Sequence, residues 1–226
     1  SDLPSQLRVE AALAAAHAIS THEVTSEIDY FTAADDLALG SGAAHVNESM
    51  FASACFYKYF CIDWNQLVEN LGGNKNLARL TVEQFLRGAA LSVPSGKQTS
   101  FAAFNPPDGV LVEVKAEKRL PVSYANAFAD PVRSSPGRPL ISESIARLGQ
   151  YVHDVAEGYE IPAERFWFSP GNQYQLAYLD RQAPEPERQK PVTDAQHTFG
   201  RLECLVAHVM DAIDKAVTPT AIGAAS

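Results

Sequence analysis

The sequence predicts a mixed α+β fold in one domain across residues 1–226, and three observations carry that reading. Residues 55–62 (CFYKYFCI) form a short aromatic-rich run with the composition of a strand. Residues 76–91 place Leu77, Leu80, Leu86, Ala89 and Ala90 on a broad apolar helical face, with Pro94 just beyond. Residues 110–116 (VLVEVKA) alternate as a half-buried strand does. A length of 226 residues suffices to bury a sizeable core.

Taken in order, residues 7–22 are ambiguous. Their alanine content favours helix, whereas strand alternation would put Leu13, His17 and Ile19 on one face. Residues 23–53 follow, with alternating acidic and apolar positions, the pair Tyr30-Phe31, and a small-residue stretch at Gly40-Ser41-Gly42. Two extended arms around such a stretch read as a β-hairpin excursion, and it contains no Lys or Arg. In the strand at 55–62, Phe56, Lys58 and Phe60 point opposite to Tyr57, Tyr59 and Cys61. Asp63 caps a short helix at 64–71, which Gly72-Gly73 ends.

The second half reads in shorter pieces. Residues 94–98 (PSGKQ) are a polar loop, 100–104 a short strand, and 106–109 (PPDG) a turn. Residues 131–141, opening PVRSSPGRP, are a loop with two Arg. Ser142 starts a helix to about Gly158, with Ile145, Leu148, Val152 and Val155 at helical spacing. Residues 166–168 and 174–179 are short strands, and 183–191 (APEPERQKP) a charged, Pro-rich, mobile loop. An amphipathic helix at 197–217 follows, with Leu202, Leu205, Val209 and Ile213 on one side. The chain opens Ser-Asp-Leu-Pro, without initiator Met or signal peptide, and is expected to be a fragment or processed product.

Composition narrows the chemistry. No run is long and apolar enough to span a membrane. A formal charge of −9, taken alone, argues against holding nucleic acid by phosphate neutralisation. Cys55, Cys61 and Cys204 are an odd number without C-x-x-C, and each sits in an apolar run. They read as buried, inert thiols in a reducing cytoplasm. His17, His22 and His45 lie near acids but lack metal-ligand spacing, so no metal and no cofactor is expected. Asp35-Asp36 has neither a third ligand nor a base and reads as a turn. No catalytic residue emerges.

Two features remain as binding candidates. Lys97-Gln98 follows Gly96 in a loop where the backbone can approach a phosphate, although an ordinary polar loop has the same composition. Tyr30-Phe31 by composition packs on the protein's own core. The alternative is stacking on, or wedging between, bases, which needs no adjacent cation.

Four blocks then point to a family. They are AHAISTHEVTSEIDYFTAADDL at 16–37, FYKYFCIDWNQLVENLGG at 56–73, VPSGKQTSFAAFNPPDGVLVEV at 93–114 and LPVSYANAFADPV at 120–132. In this order they resemble the CasC backbone subunits of the type I-E Cascade, the CRISPR surveillance complex. The resemblance covers the C-terminal portion of the family and weakens after about residue 135. It implies a modified RRM-like (ferredoxin-like) palm, N-terminally incomplete, with a protruding β-hairpin thumb at 23–53. It makes residues 12–22 a palm strand leading into that thumb. It implies a non-enzymatic cytoplasmic subunit whose copies assemble along CRISPR RNA with other Cascade subunits and present the spacer to target DNA. Tyr30 and Phe31 would correspond to the thumb's aromatic pair at a kinked nucleotide, Ala34 to a small apolar position beside it, and Lys97 and Gln98 to RNA contacts. Phosphate contacts in the family lie mainly in the N-terminal palm and fingers, so this chain alone is expected to bind RNA weakly. An RRM-like endoribonuclease using His17 or His22 as base is the alternative. A palm lacking its N-terminal strand and helix would also expose a sheet edge, inviting self-association.

Overall fold

A computed structural model describes residues 9–24, 27–33, 45–51, 53–93, 95–96 and 98–217. The architecture is mixed α+β, with strands β1 (Leu13–Ala15), β2 (Ile19–Ser20), β3 (Glu27–Ala33), β4 (His45–Phe51), β5 (Phe56–Tyr57) and β6 (Phe60–Ile62) first. Helices α1 (Trp64–Asn70), α2 (Lys75–Leu91) and α3 (Gln98–Phe101) follow, then β7 (Val110–Val114), α4 (Leu140–Gly158) and β8 (Glu164–Phe168). The chain continues through β9 (Ala177–Leu179), β10 (Gln189–Pro191), β11 (Thr198–Phe199) and α5 (Leu202–Val217).

The core is built on a three-stranded sheet in the order β11-β8-β7, with β7 antiparallel and β11 parallel to β8. The segment Phe166-Trp167-Phe168 explains why helices cover both faces. Side chains alternate across a strand, so Phe166 and Phe168 pack with Phe199, Leu205, Val209 and Ala212 of the α5 side. Trp167 instead packs with Ile145, Leu148 and Leu176 on the α4 side. On β7 the same alternation sends Val110, Val112 and Val114 to the first cluster and Leu111 to the second. Each fully buried ring contributes about 1.5–3 kcal/mol relative to exposure, and Phe166 and Trp167 are both 1% exposed. The Trp167 indole N–H donates to the Tyr174 carbonyl at 2.8 Å, so its burial leaves no polar group unpaired.

Helix α2 packs on α5 through Val82, Val206 and Met210, joined by Ile62, Trp64 and Leu67. The outer rim of this contact is charged. Arg79 pairs with Asp214 and Arg87 with Glu203, while Glu83 on α2 bridges both arginines. The Arg87 guanidinium, two of whose nitrogens reach the carboxylate, holds Glu203 below the usual glutamate range. The Asp63 cap is as the sequence predicts, with Gln66 N–H donating to Asp63 Oδ1 at 3.1 Å; Asn74 caps α2 in the same way, accepting from Leu77 N–H at 3.0 Å.

Several expectations are corrected. Residues 100–104 are not a strand; α3 is a single helical turn closed by Ala102 N–H donating to Gln98 O at 2.8 Å. The strand over 55–62 is interrupted at Lys58-Tyr59. The last helix begins at Leu202 rather than 197, because Phe199 is drawn into the core cluster and β11 pairs with β8. The loop at 183–191 ends in a strand, with Gln189–Pro191 antiparallel to Ala177–Leu179. In α2 the buried residues are Ala78, Val82 and Ala90, whereas Leu77 and Leu80 are 43% and 51% exposed. All three cysteines are free and half-buried rather than buried. Among the described residues, no helix is long and apolar enough to cross a membrane.

Two substitutions test this packing. A Cβ on Gly149 of α4 would stand 2.2 Å from the Ala177 carbonyl oxygen, a backbone atom that cannot step aside. Gly149→Ala should therefore cost about 1–3 kcal/mol in urea unfolding. Gly158→Ala, with nothing within 4 Å, should be neutral or slightly stabilising. For the rim, the depressed Glu203 carboxyl stabilises the fold above its ordinary range and loses that contribution as pH falls through it. Glu203→Gln should thus lower the urea midpoint at neutral pH, and the gap to the parent protein should close in acid.

Candidate nucleic-acid interface

Three successive antiparallel ladders pair the same two chain segments. Leu13, Ala14 and Ala15 face Ile62, Cys61 and Phe60. Ile19 and Ser20 face Tyr57 and Phe56. Glu27 through Ala33 then face Phe51 back through His45. Within this alanine-rich stretch Leu13–Ala15 and Ile19–Ser20 are thus strands: the cross-strand ladder overrides a helix preference worth well under about 1 kcal/mol per residue. The ascending segment carries the surplus residues, three at 16–18 against two at 58–59, and six at 21–26 against four at 52–55. Extra residues on one strand act as bulges, which bend it and increase its twist.

The predicted site residues are placed as follows. Tyr30 stands opposite Glu48 and Phe31 opposite Asn47 in the β3–β4 register. Gln98 opens α3, between α2 and β7, and is half-buried. Ala34 and Lys97 lie outside the described residues. The ladder carries Glu27, Asp29 and Glu48 and no Lys or Arg. His17 is exposed and His22 half-buried. Among the described residues no grouping of His, Cys, Asp and Glu could hold a metal.

What roots this ribbon in the body was not among the predicted site residues. Glu113 of β7 accepts from Arg165 Nε at 2.8 Å and from the Tyr124 hydroxyl at 2.8 Å, and Lys115 Nζ lies 3.1 Å from its second oxygen. Tyr124 N–H in turn donates to the Tyr57 hydroxyl on β5 at 3.0 Å. The Tyr57 ring packs against Phe128 with centroids 5.4 Å apart. Burial pushes the Tyr57 and Tyr124 phenols up, and for Tyr124 the nearby Glu113 carboxylate adds to it. Both stay protonated as donors or neutral acceptors. A second root lies one residue past β2. Thr21, 2% exposed, shares a 2.8 Å hydroxyl hydrogen bond with Ser144 of α4, also buried. Its backbone joins both Cys55 and Val132. A sequence signal for the first root existed: Glu113 is the one charge in VLVEV.

Comparison with known proteins places this geometry. A family model described as CT1975-like protein matches residues 2–190. A solved chain described as "CRISPR RNA-guided surveillance complex" is 30% identical with a TM-score of 0.73, covering 94% of this chain and 74% of that one. Another, "CRISPR RNA-guided surveillance complex, pre-nicking", is 29% identical with a TM-score of 0.73, covering 92% of this chain. This chain spans about half of that second chain, 52% of its length. No curated protein matches this chain.

Glu113 offers a direct test of the root. Its side chain is 10% exposed, and those of Arg165 and Lys115 are 17% and 13%. Glu113→Ala leaves two poorly solvated cations without their carboxylate and should cost about 3–5 kcal/mol. Urea unfolding measures this, and limited proteolysis should show earlier cleavage near the ends of the β2–β5 ladder than in α5.

Proposed function

The chain belongs to the CT1975-like protein family, and we propose that it is a non-enzymatic subunit of a CRISPR RNA-guided surveillance complex of the Cascade type. In this reading it is the C-terminal portion of a backbone subunit. Its copies assemble along CRISPR RNA, beside other Cascade subunits, and leave the spacer available to target DNA. The observation that carries the reading is the 30% identity to a chain of such a complex over 94% of these residues. The body would correspond to the RRM-like palm, and the β3–β4 ladder to the thumb.

The chemistry of the ladder supports a particular mode of action. A hairpin without a cation and with Glu27, Asp29 and Glu48 repels phosphates. It acts on RNA through shape and through an aromatic ring set against a base. We assign the wedge to Phe31, with Ala34 beside it and the Lys97-Gln98 loop supplying a phosphate contact.

Phe31→Ala in the full-length protein should weaken ordered assembly on CRISPR RNA, read by sedimentation or electron microscopy of the ribonucleoprotein, at unchanged melting temperature. Tyr30→Ala should differ from it. Parent-like assembly by Phe31→Ala would remove the wedge. Incubation with repeat RNA checks the non-enzymatic reading: specific cleavage abolished by His22→Ala would replace it with an endoribonuclease.

A further inference from the structure

We propose that the face of β5 and β6 carrying Phe56, Lys58 and Phe60 is a stacking platform for single-stranded nucleic acid. Two bases lie on the rings, and the phosphate between them meets the Lys58 ammonium. This rests on the reading above only in taking the partner to be a nucleic-acid strand; it does not need the hairpin.

The first observation is exposure. Phe56 is 58% exposed and Phe60 36%, with Lys58 between them also exposed, while Tyr57, Tyr59 and Cys61 turn inward. That alternation persists through the interruption of the ladder, where Ala16 N–H still donates to Tyr59 O at 3.0 Å. Four residues of extended chain separate the rings by about 13 Å. This is too far for one base, and it leaves room for two splayed bases with a phosphate between.

The second observation is what surrounds the rings. The cross-strand neighbour of Phe60 is Ala15 and that of Phe56 is Ser20, both too small to cover a ring. Ser20 is turned to its own backbone, its hydroxyl donating to His22 O. Phe60 meets the Phe85 ring edge-on at 5.3 Å and 84°, so one side of it is fixed in place. Beyond it, Ile62 enters the α2–α5 core. The platform is thus anchored at one end and open at the other.

The third observation is charge, and it selects the occupant. Lys58 has no ion pair among the described residues. A ring, an unpaired cation and a second ring on alternate positions match base, phosphate and base. An apolar protein surface would leave the ammonium buried without a partner, at a substantial cost.

The test uses the full chain with a fluorescent uridine oligoribonucleotide and a thymidine oligodeoxyribonucleotide of equal length, read by anisotropy across a salt series. Phe56→Leu keeps the apolar area and removes the ring; it should weaken binding about tenfold. Lys58→Gln should weaken binding and flatten the slope of log affinity against log salt by about 0.7. The ratio of the two probes assigns the natural strand as RNA or DNA. Parent-like binding by both variants, or no measurable binding by the parent chain, overturns the platform. Phe31→Ala assembly is scored separately, so a failed platform leaves the hairpin's role standing, and the reverse.

Discussion

The carboxylate of Glu113 is the joint on which the geometry of the ribbon depends. It is a single anion with two cations and a phenol around it, at a place where water is largely excluded. Such a cluster is a poor source of net stability, because desolvating its members offsets much of their attraction. Its value is positional. Tyr124 holds Glu113 with its hydroxyl and Tyr57 with its backbone N–H, and so links the β2–β5 ladder to the sheet. The Thr21–Ser144 hydroxyl pair adds a second fixed point on α4. These two points tie the segment to two different elements of the body.

Beyond those points the ribbon changes character. The ladders nearest the body are short and interrupted, and the surplus residues fall on the ascending segment. The outermost ladder is the longest, with seven regular pairs.

Much of this fold was legible in the sequence, because periodicity and caps are local. Asp63 stands where a helix begins, Val110–Val114 alternates, and the FWF segment lies in a strand. What was illegible depended on distant partners. Thr198–Phe199 continues a helical pattern in sequence, yet β8 supplies a neighbour that turns it into strand. Leu77 and Leu80 fit an apolar face by spacing, but α5 packs against the other side of α2. For the candidate site, Tyr30 and Phe31 were visible as an aromatic pair whose composition alone favoured packing on the protein's own core. Their pairing opposite Glu48 and Asn47 required the partner strand. Glu113 was visible only as a charge out of place.

Helix α5 completes two clusters at once, closing the sheet with Leu205 and Val209 and closing against α2 with Val206 and Met210. During synthesis it is the last of the described elements to leave the ribosome. Until then Phe166 and Phe168 lack their cover, and α2 lacks its partner helix. The nascent chain therefore carries an open sheet face from the emergence of Phe168 until α5 follows, and a message cut short before Leu202 yields a product for chaperones and proteases rather than a smaller working domain.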